Sequence, residues 1–218
     1  MELSHIKFRS LTDQVYEYQS NSIIEGKIKP VEKLVEKNLC QEFGISRSPL
    51  RECFRILESE GLIIINPRKG AHVREVTRKD IEDVFPVRAK LEGLAAKLAI
   101  QYITEKDITN LNDLIIKMDE TILEKNIKSF LQFNEIFHDI FIKASNNQVL
   151  DNMLKNLGKG IWLRIAFLYF QSPSGLDLSN KRHKEIVEGF IKKDTVSVER
   201  LVEEHIEHTK NQLLSSLD

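Results

Sequence analysis

The sequence predicts a mainly α-helical protein in two parts, a small N-terminal helix-turn-helix unit closed by a β-hairpin and a larger all-α antiparallel bundle. Three observations carry that prediction. Gly44-Ile45-Ser46-Arg47-Ser48-Pro49-Leu50-Arg51-Glu52 reads as a tight turn leading into a helix with two arginines near its start. Glu60-Gly61-Leu62, followed by Arg68-Lys69-Gly70-Ala71-His72-Val73, reads as a helix stop and then a hairpin with a positive tip. Beyond Val76 there is no strand alternation, only helical periodicity broken by short polar turns. The boundary falls near Val76-Thr77, which gives parts of 1–76 and 77–218.

Each element of the first part has a local reason. Leu34, Leu39 and Phe43 form an apolar stripe on a first short helix, and Gly44 sits where a left-handed residue would end it. Ser46 or Ser48 caps the next helix; Ser48 followed by Pro49 fits the preference for proline at the first helical position. Leu50, Phe54 and Leu57 recur at i, i+4 and i+7, so this helix buries one face. Arg47, Ser48 and Arg51 are left at its exposed N-terminal end. Gly61 stops the helix, and Leu62-Ile63-Ile64-Ile65 is a β-branched strand bounded by Asn66-Pro67. Arg68, Lys69 and Gly70 form the hairpin tip, from which residues 71–76 return with alternation.

That order of parts describes a winged helix-turn-helix, which lays one helix in the DNA major groove with a basic wing beside it. The first turn of such a helix reaches the base edges, and an arginine fork can donate two hydrogen bonds to guanine O6 and N7. Lys37, the wing residues Arg68, Lys69 and Gly70, and His72 are expected to contact phosphate, which positions the domain without reading sequence.

In the second part, Thr77–Asp80 and Thr104–Asp107 have the spacing of capping boxes. Helices are expected over roughly 79–102, 105–124, 127–144, 148–170, 178–192 and 196–214, with Ser145-Asn146-Asn147 and Ser172-Pro173-Ser174-Gly175 as the clearest loops. At about 100° per residue, Phe130, Phe137 and Phe141 share a face of the 127–144 helix, with Asn134 and His138 side by side on its flank. His183 lies in line with Ile186, Val187 and Phe190. On the last helix His205 sits amid Val198, Leu201, Val202, Thr209 and Leu213. Three histidines thus project inward from three helices. One histidine on an apolar face is ordinarily a hydrogen-bonded core residue, but three together each need a polar partner. A shared metal ion meets that need, as does a polar cavity with water and a ligand; neutral imidazole suits zinc, nickel, copper or iron. His5, His72 and His208 read as a loose terminus, the wing and a helix edge.

Composition sets limits. With 32 Lys and Arg against 33 Asp and Glu, the formal net charge is −1, so DNA affinity has to come from a local patch and be salt-sensitive. Cys40 and Cys53 have no partner motif and read as buried, reduced thiols. No signal peptide and no apolar run of membrane length is present, which leads to the expectation of a cytoplasmic protein with no membrane partner.

The residues from Leu11 to Val76 resemble the DNA-binding domain of the GntR family of bacterial repressors. In that family a serine-arginine-threonine-proline-hydrophobic-arginine-glutamate run opens the recognition helix, and Ser46 to Glu52 matches it with serine for threonine. The resemblance implies that Arg47, Ser48, Arg51 and the wing around Gly70 contact DNA. One departure is Val31, where the family usually has glycine after the proline. The second part resembles the all-helical effector-binding FCD domain of the FadR-type branch, and the two resemblances cover nearly the whole chain. That domain binds a divalent metal through an aspartate and a histidine four apart on one helix, plus two later histidines. His138, His183 and His205 match the histidines, while Asn134 stands in place of the aspartate, which implies a weakened site. Val87-Arg88-Ala89-Lys90-Leu91-Glu92 matches the start of the domain, where an arginine faces the pocket. Arg88 is therefore the candidate for an effector carboxylate, with a salt bridge to Glu92 as the competing role. Trp162 and Arg164 are further candidates for the pocket wall.

These readings combine into a ligand-responsive transcriptional regulator, a repressor, that binds a pseudo-palindromic operator as a homodimer and is gated by a small organic acid. It is not expected to be an enzyme. A metal-dependent hydrolase is the alternative for three histidines, but no HExxH run, general-base spacing or nucleophile motif accompanies them. The other alternative is a bundle that only dimerises and takes no effector.

Overall fold

The computed structural model describes residues 10–157, 164–165, 167 and 173–216. Contacts divide the chain into two units, Met1–Glu75 and Val76–Asp218. The first unit begins with a helix the sequence reading did not single out, α1 (Leu11–Ile24), opened by a capping box between Ser10 and Asp13. Its buried residues are Val15, Gln19, Ser20, Ser22 and Ile23, so polar side chains carry most of a face that no apolar stripe announces. It packs on α3 (Arg47–Ser59), which follows a short α2 (Glu36–Phe43). Strands β1 (Lys33–Leu34), β2 (Ile63–Asn66) and β3 (Gly70–Val73) form an antiparallel sheet of order β1-β3-β2. Leu34, read from sequence as part of the first helical stripe, lies instead in β1 opposite Ala71. Its side chain is buried, so the apolar signal was real and the element was wrong.

Two turns fix the geometry around α3. Gly44 ends α2 at φ 63°, a conformation that costs a glycine nothing. Ser46 is the N-cap of α3 in an extended conformation, although its side chain makes no capping bond. Of the two serines the structure therefore selects Ser46, and Pro49 becomes the third helical residue. There its missing N–H would have had no helical partner in any case. Val31 adopts φ 66°, which explains why glycine suits this position and makes the valine a strained substitute. The turn is held on both sides, since Val31 N–H donates to Val73 O (3.0 Å) and Val73 N–H donates to Glu32 O (2.9 Å).

The second unit is built from α4 (Arg78–Ala99), α5 (Glu105–Leu123), α6 (Ile127–Ala144), α7 (Gln148–Asn156), α8 (Pro173–Ile191) and α9 (Thr195–Ser216). Capping boxes at Thr77–Asp80 and Thr104–Asp107 open α4 and α5. Two boundaries differ from the sequence expectation. The helix expected over 148–170 ends at Asn156; residues 164, 165 and 167 are helical again, and the remainder of that stretch lies outside the described residues. The Ser-Pro-Ser-Gly segment, expected to be a loop, contributes the start of α8, because proline is well suited to the first helical position.

In this unit α4 packs against α6 and α9, α5 against α6 and α8, and α8 against α9. Gly93 permits the closest approach: a Cβ there would lie 2.7 Å from Glu203 Cγ of α9. Lys90 to Glu203 (2.6 Å) and Lys97 to Glu199 (2.8 Å) bridge the same two helices. Phe85, Phe130, Phe137, Phe141 and Phe190 are fully buried and form much of the core. Among the described residues, no helix is long and apolar enough to cross a membrane.

Candidate functional site

The first candidate site is a basic surface on the N-terminal unit. Arg47 and Ser48 are the first two residues of α3 and both are exposed, as is Lys37 on α2. Arg51, one turn further on, is held by Glu36 of α2: its Nε lies 3.1 and 3.2 Å from the two carboxylate oxygens and its Nη2 lies 3.1 Å from Oε2. The pair is solvent-exposed, so it orients the guanidinium at small energetic cost to any partner that displaces it. Arg68, Lys69 and Gly70 cap the β2–β3 hairpin, where Gly70 takes φ 85°. His72 lies on the outer face of β3, opposite Lys33 and Ile64, with Nδ1 3.2 Å from Gly70 O.

Between α3 and the hairpin runs a cleft of about 440 Å³. Lys33, Arg51, Arg55, Arg68 and Lys69 line it, with Glu36 as the only carboxylate among its described lining residues. Lys33 and Arg55 were missed in the sequence. Neither belongs to the helix-opening motif, and only the fold brings β1 beside the wing. The two cysteines belong to this unit and are unpaired with each other. Cys53 is fully buried and Cys40 only partly, and burial pushes the Cys53 thiol up to about 12, a form without thiolate character.

The second candidate site lies inside the bundle. His138 on α6, His183 on α8 and His205 on α9 are all buried, and each places a ring nitrogen within 4.8 Å of those of the other two. Their ring centroids are 5.6 Å (138–183), 5.4 Å (138–205) and 4.7 Å (183–205) apart. Phe137 packs on the His183 ring at 4.5 Å, which fixes that ring from its apolar side. Asn134, one turn before His138, is buried as well. Burial and the neighbouring rings hold His183 and His205 well below the ordinary imidazole range, so both are neutral at pH 7.

Hydrogen bonding around the cluster is unequal. His138 Nδ1 lies 2.5 Å from Glu92 Oε2, and Glu92 is wholly buried on α4. His183 Nδ1 lies 3.4 Å from Asn180 Oδ1. The Asn180 amide donates in turn to Ile115 O (3.1 Å) and Asp119 Oδ1 (2.6 Å). In contrast, His138 Nε2, His183 Nε2, His205 Nδ1 and Asn134 Oδ1 are buried with no hydrogen-bond partner among the described residues. Buried polar atoms left without partners, three on the ring cluster and one on Asn134 a turn before His138, are costly to a fold. Imidazole nitrogen and amide oxygen are also atom types that can ligate a divalent ion.

Arg88 reaches Glu92 one turn along α4 and forms an ion pair with it, the competing role foreseen for this arginine. Burial alone would raise the Glu92 carboxyl; the Arg88 charge and the His138 ring outweigh it and hold the group at about 2. Glu92 was therefore missed as a site residue, although the Arg88–Glu92 spacing was in view. Arg88 and His138 also line a recess of about 90 Å³, together with Glu135, Asp139, Asp151 and Lys155. Arg164 is buried in this unit, and burial lowers its guanidinium from the ordinary value. Trp162, expected on the pocket wall, lies outside the described residues.

Comparison with known proteins bears on both units. Residues 11–73 match the profile of bacterial regulatory proteins of the gntR family, and residues 83–208 match that of the FCD domain. The uncharacterized HTH-type transcriptional regulator YdhC of Bacillus subtilis is 29% identical over 206 residues, which cover 94% of this chain and 92% of that protein. The HTH-type transcriptional repressor RspR of Escherichia coli is 26% identical over 197 residues, covering 90% and 86%. Among solved structures, E. coli McbR/YncC superposes with a TM-score of 0.80 at 23% identity, covering 97% of this chain and all of that one.

Proposed function

Because this chain belongs to the gntR family of bacterial regulatory proteins, as a transcriptional regulator that joins a DNA-binding domain to an FCD effector domain, we propose that it is a repressor gated by a small organic acid. Two chains associate through their bundles into a homodimer, and their winged units read the half-sites of a pseudo-palindromic operator. Arg47, Ser48 and Arg51 carry the base readout. Lys37, Arg68, Lys69, Gly70 and His72 hold the phosphates, and the basic cleft extends that set to Lys33 and Arg55.

The observation that carries the bundle's role is the set of four bare, buried donor atoms on Asn134, His138, His183 and His205. The set fits a divalent ion such as zinc or nickel, since imidazole nitrogen and amide oxygen ligate while neutral. When bound, that ion offers an electrophilic centre to a carboxylate. Asn134 brings no negative charge, so the site favours an anionic ligand more than an aspartate version would. Arg88, half-buried, lines the recess beside His138 and can turn its fork toward an entering acid, and Arg164 adds a buried cation in the same unit. A recess of this size has room for about three waters or a small acid. Gating follows if the acid binds one arrangement of the bundle better than the other.

The test is an operator gel shift at fixed salt. Arg47→Ala is expected to weaken binding by roughly 1–3 kcal/mol while leaving the fold intact. Adding small carboxylic acids to the metal-loaded complex should release the DNA. Undiminished binding by Arg47→Ala would remove the readout assignment, and release by no acid would favour a bundle that only dimerises.

A further inference from the structure

We propose that Glu92 is the positioning residue of the histidine cluster. It holds His138 in the tautomer that presents Nε2 to the cluster, and it supplies from behind that ring the negative charge that Asn134 lacks. The inference rests on the metal-site reading above and deepens it.

Glu92 is the only buried carboxylate among the described residues. Sealing a carboxylate inside a bundle is costly unless both of its oxygens are used. One oxygen takes the Arg88 ion pair, a contact that a surface pair one turn apart could make equally well. The other lies 2.5 Å from His138 Nδ1. A carboxylate oxygen can only accept there, so Nδ1 carries the hydrogen, and Nε2, buried without a partner, is the nitrogen left to offer a metal. A carboxylate behind a metal-bound imidazole orients the ring and strengthens it as a donor.

The contrast with His183 sharpens the assignment. Its Nδ1 has only a neutral amide oxygen at 3.4 Å, and the nearest carboxylate in that chain of bonds, Asp119, is one residue removed. Imidazole and amide ligands bring no charge of their own to a divalent ion. Glu92 is an anion bonded directly to a cluster ring.

The experiment is zinc titration of the metal-stripped full-length protein, with Co²⁺ absorption read in parallel. The variants are Glu92→Gln and the double variant Arg88→Met/Glu92→Gln; the double variant avoids leaving the half-buried Arg88 without its counter-ion. Circular dichroism establishes that each is folded. Zinc affinity is expected to fall by ~10- to 100-fold in both, with a shift of the Co²⁺ visible bands. Adding Asn134→Asp to the double variant should restore most of the loss, a rescue that a purely structural role for Glu92 would not produce. Unchanged affinity and bands in a folded variant overturn the proposal. Loss without rescue overturns its charge component. A wild-type protein that binds no zinc overturns the metal reading and this inference with it. Whether or not the variants fold, ¹⁵N-resolved NMR of the metal-free wild type should show His138 protonated at Nδ1; protonation at Nε2 contradicts the assignment.

Discussion

The Arg51 side chain is 59% exposed on the N-terminal unit, while His138 is 2% exposed inside the bundle. The same contrast runs through both sets of functional residues. Arg47, Ser48, Lys37 and the wing cations keep their polar groups in water and are held by short local devices: a left-handed Gly44, an N-cap at Ser46 and a surface ion pair. Asn134, His138, His183, His205 and Glu92 are enclosed, and their polar groups are held by a few neighbours such as Arg88 and Asn180 or left bare. A surface that binds a large, hydrated, charged partner can be assembled at little cost to folding. A buried site for a small ligand draws on the stability of the unit that holds it, so binding there can feed back on that unit's shape.

The comparison can be broken most forcefully from the bundle side. Phe137→Ala removes a fully buried ring that also supports His183. It is expected to cost about 3–5 kcal/mol in denaturant unfolding. A loss below about 1 kcal/mol would mean that the cluster is not locked by its core. Acid acts on the same unit. His183 and His205 are held below the ordinary imidazole value, so the unfolded chain binds more protons than the native one once pH falls below about 6.5. Stability of the metal-stripped protein should therefore fall as pH drops below that point, by about 1 kcal/mol per pH unit for each ring. Glu92, held at about 2, adds a further loss between its ordinary value and that pH. A flat thermal midpoint from pH 7 to pH 5 would contradict the burial of neutral rings.

Effects on the N-terminal unit should be smaller. Val31→Gly relieves a left-handed β-branched residue whose side chain is 64% exposed. Relief of ~1–2 kcal/mol, less glycine's entropic cost of ~0.5–1 kcal/mol, leaves a net stabilisation of roughly 0.5–1 kcal/mol, seen as a higher midpoint. Arg51→Ala removes only an exposed pair with Glu36 and should change stability by less than about 0.5 kcal/mol. Its effect on operator affinity should be far larger than that, and the two measurements together sharpen the contrast between the units.

The same contrast explains what the sequence disclosed. The helix-opening run Ser46–Glu52 is legible because turn, cap and exposed arginines are all local. The three histidines are legible because helical periodicity places them on faces that the surrounding leucines, valines and phenylalanines mark as buried. Glu92 was not, since a glutamate on a charged helix reads as a surface residue until the fold shows what encloses it. Strand β1 has two residues and its partner lies nearly forty positions later, so no local pattern reveals it. Helix α1 buries glutamine and serines, which carry no apolar period. Lys33 joins the basic cleft only through that same strand pairing, and Arg55, one turn past Arg51 on α3, only where the hairpin folds beside it.

Native mass spectrometry of protein that has never met a chelator tests the central claim most directly. The account predicts one divalent ion per chain, retained through mild desolvation and lost when His183 is replaced. A chain that is metal-free as isolated, and that takes up neither zinc nor nickel when either is supplied, would contradict it.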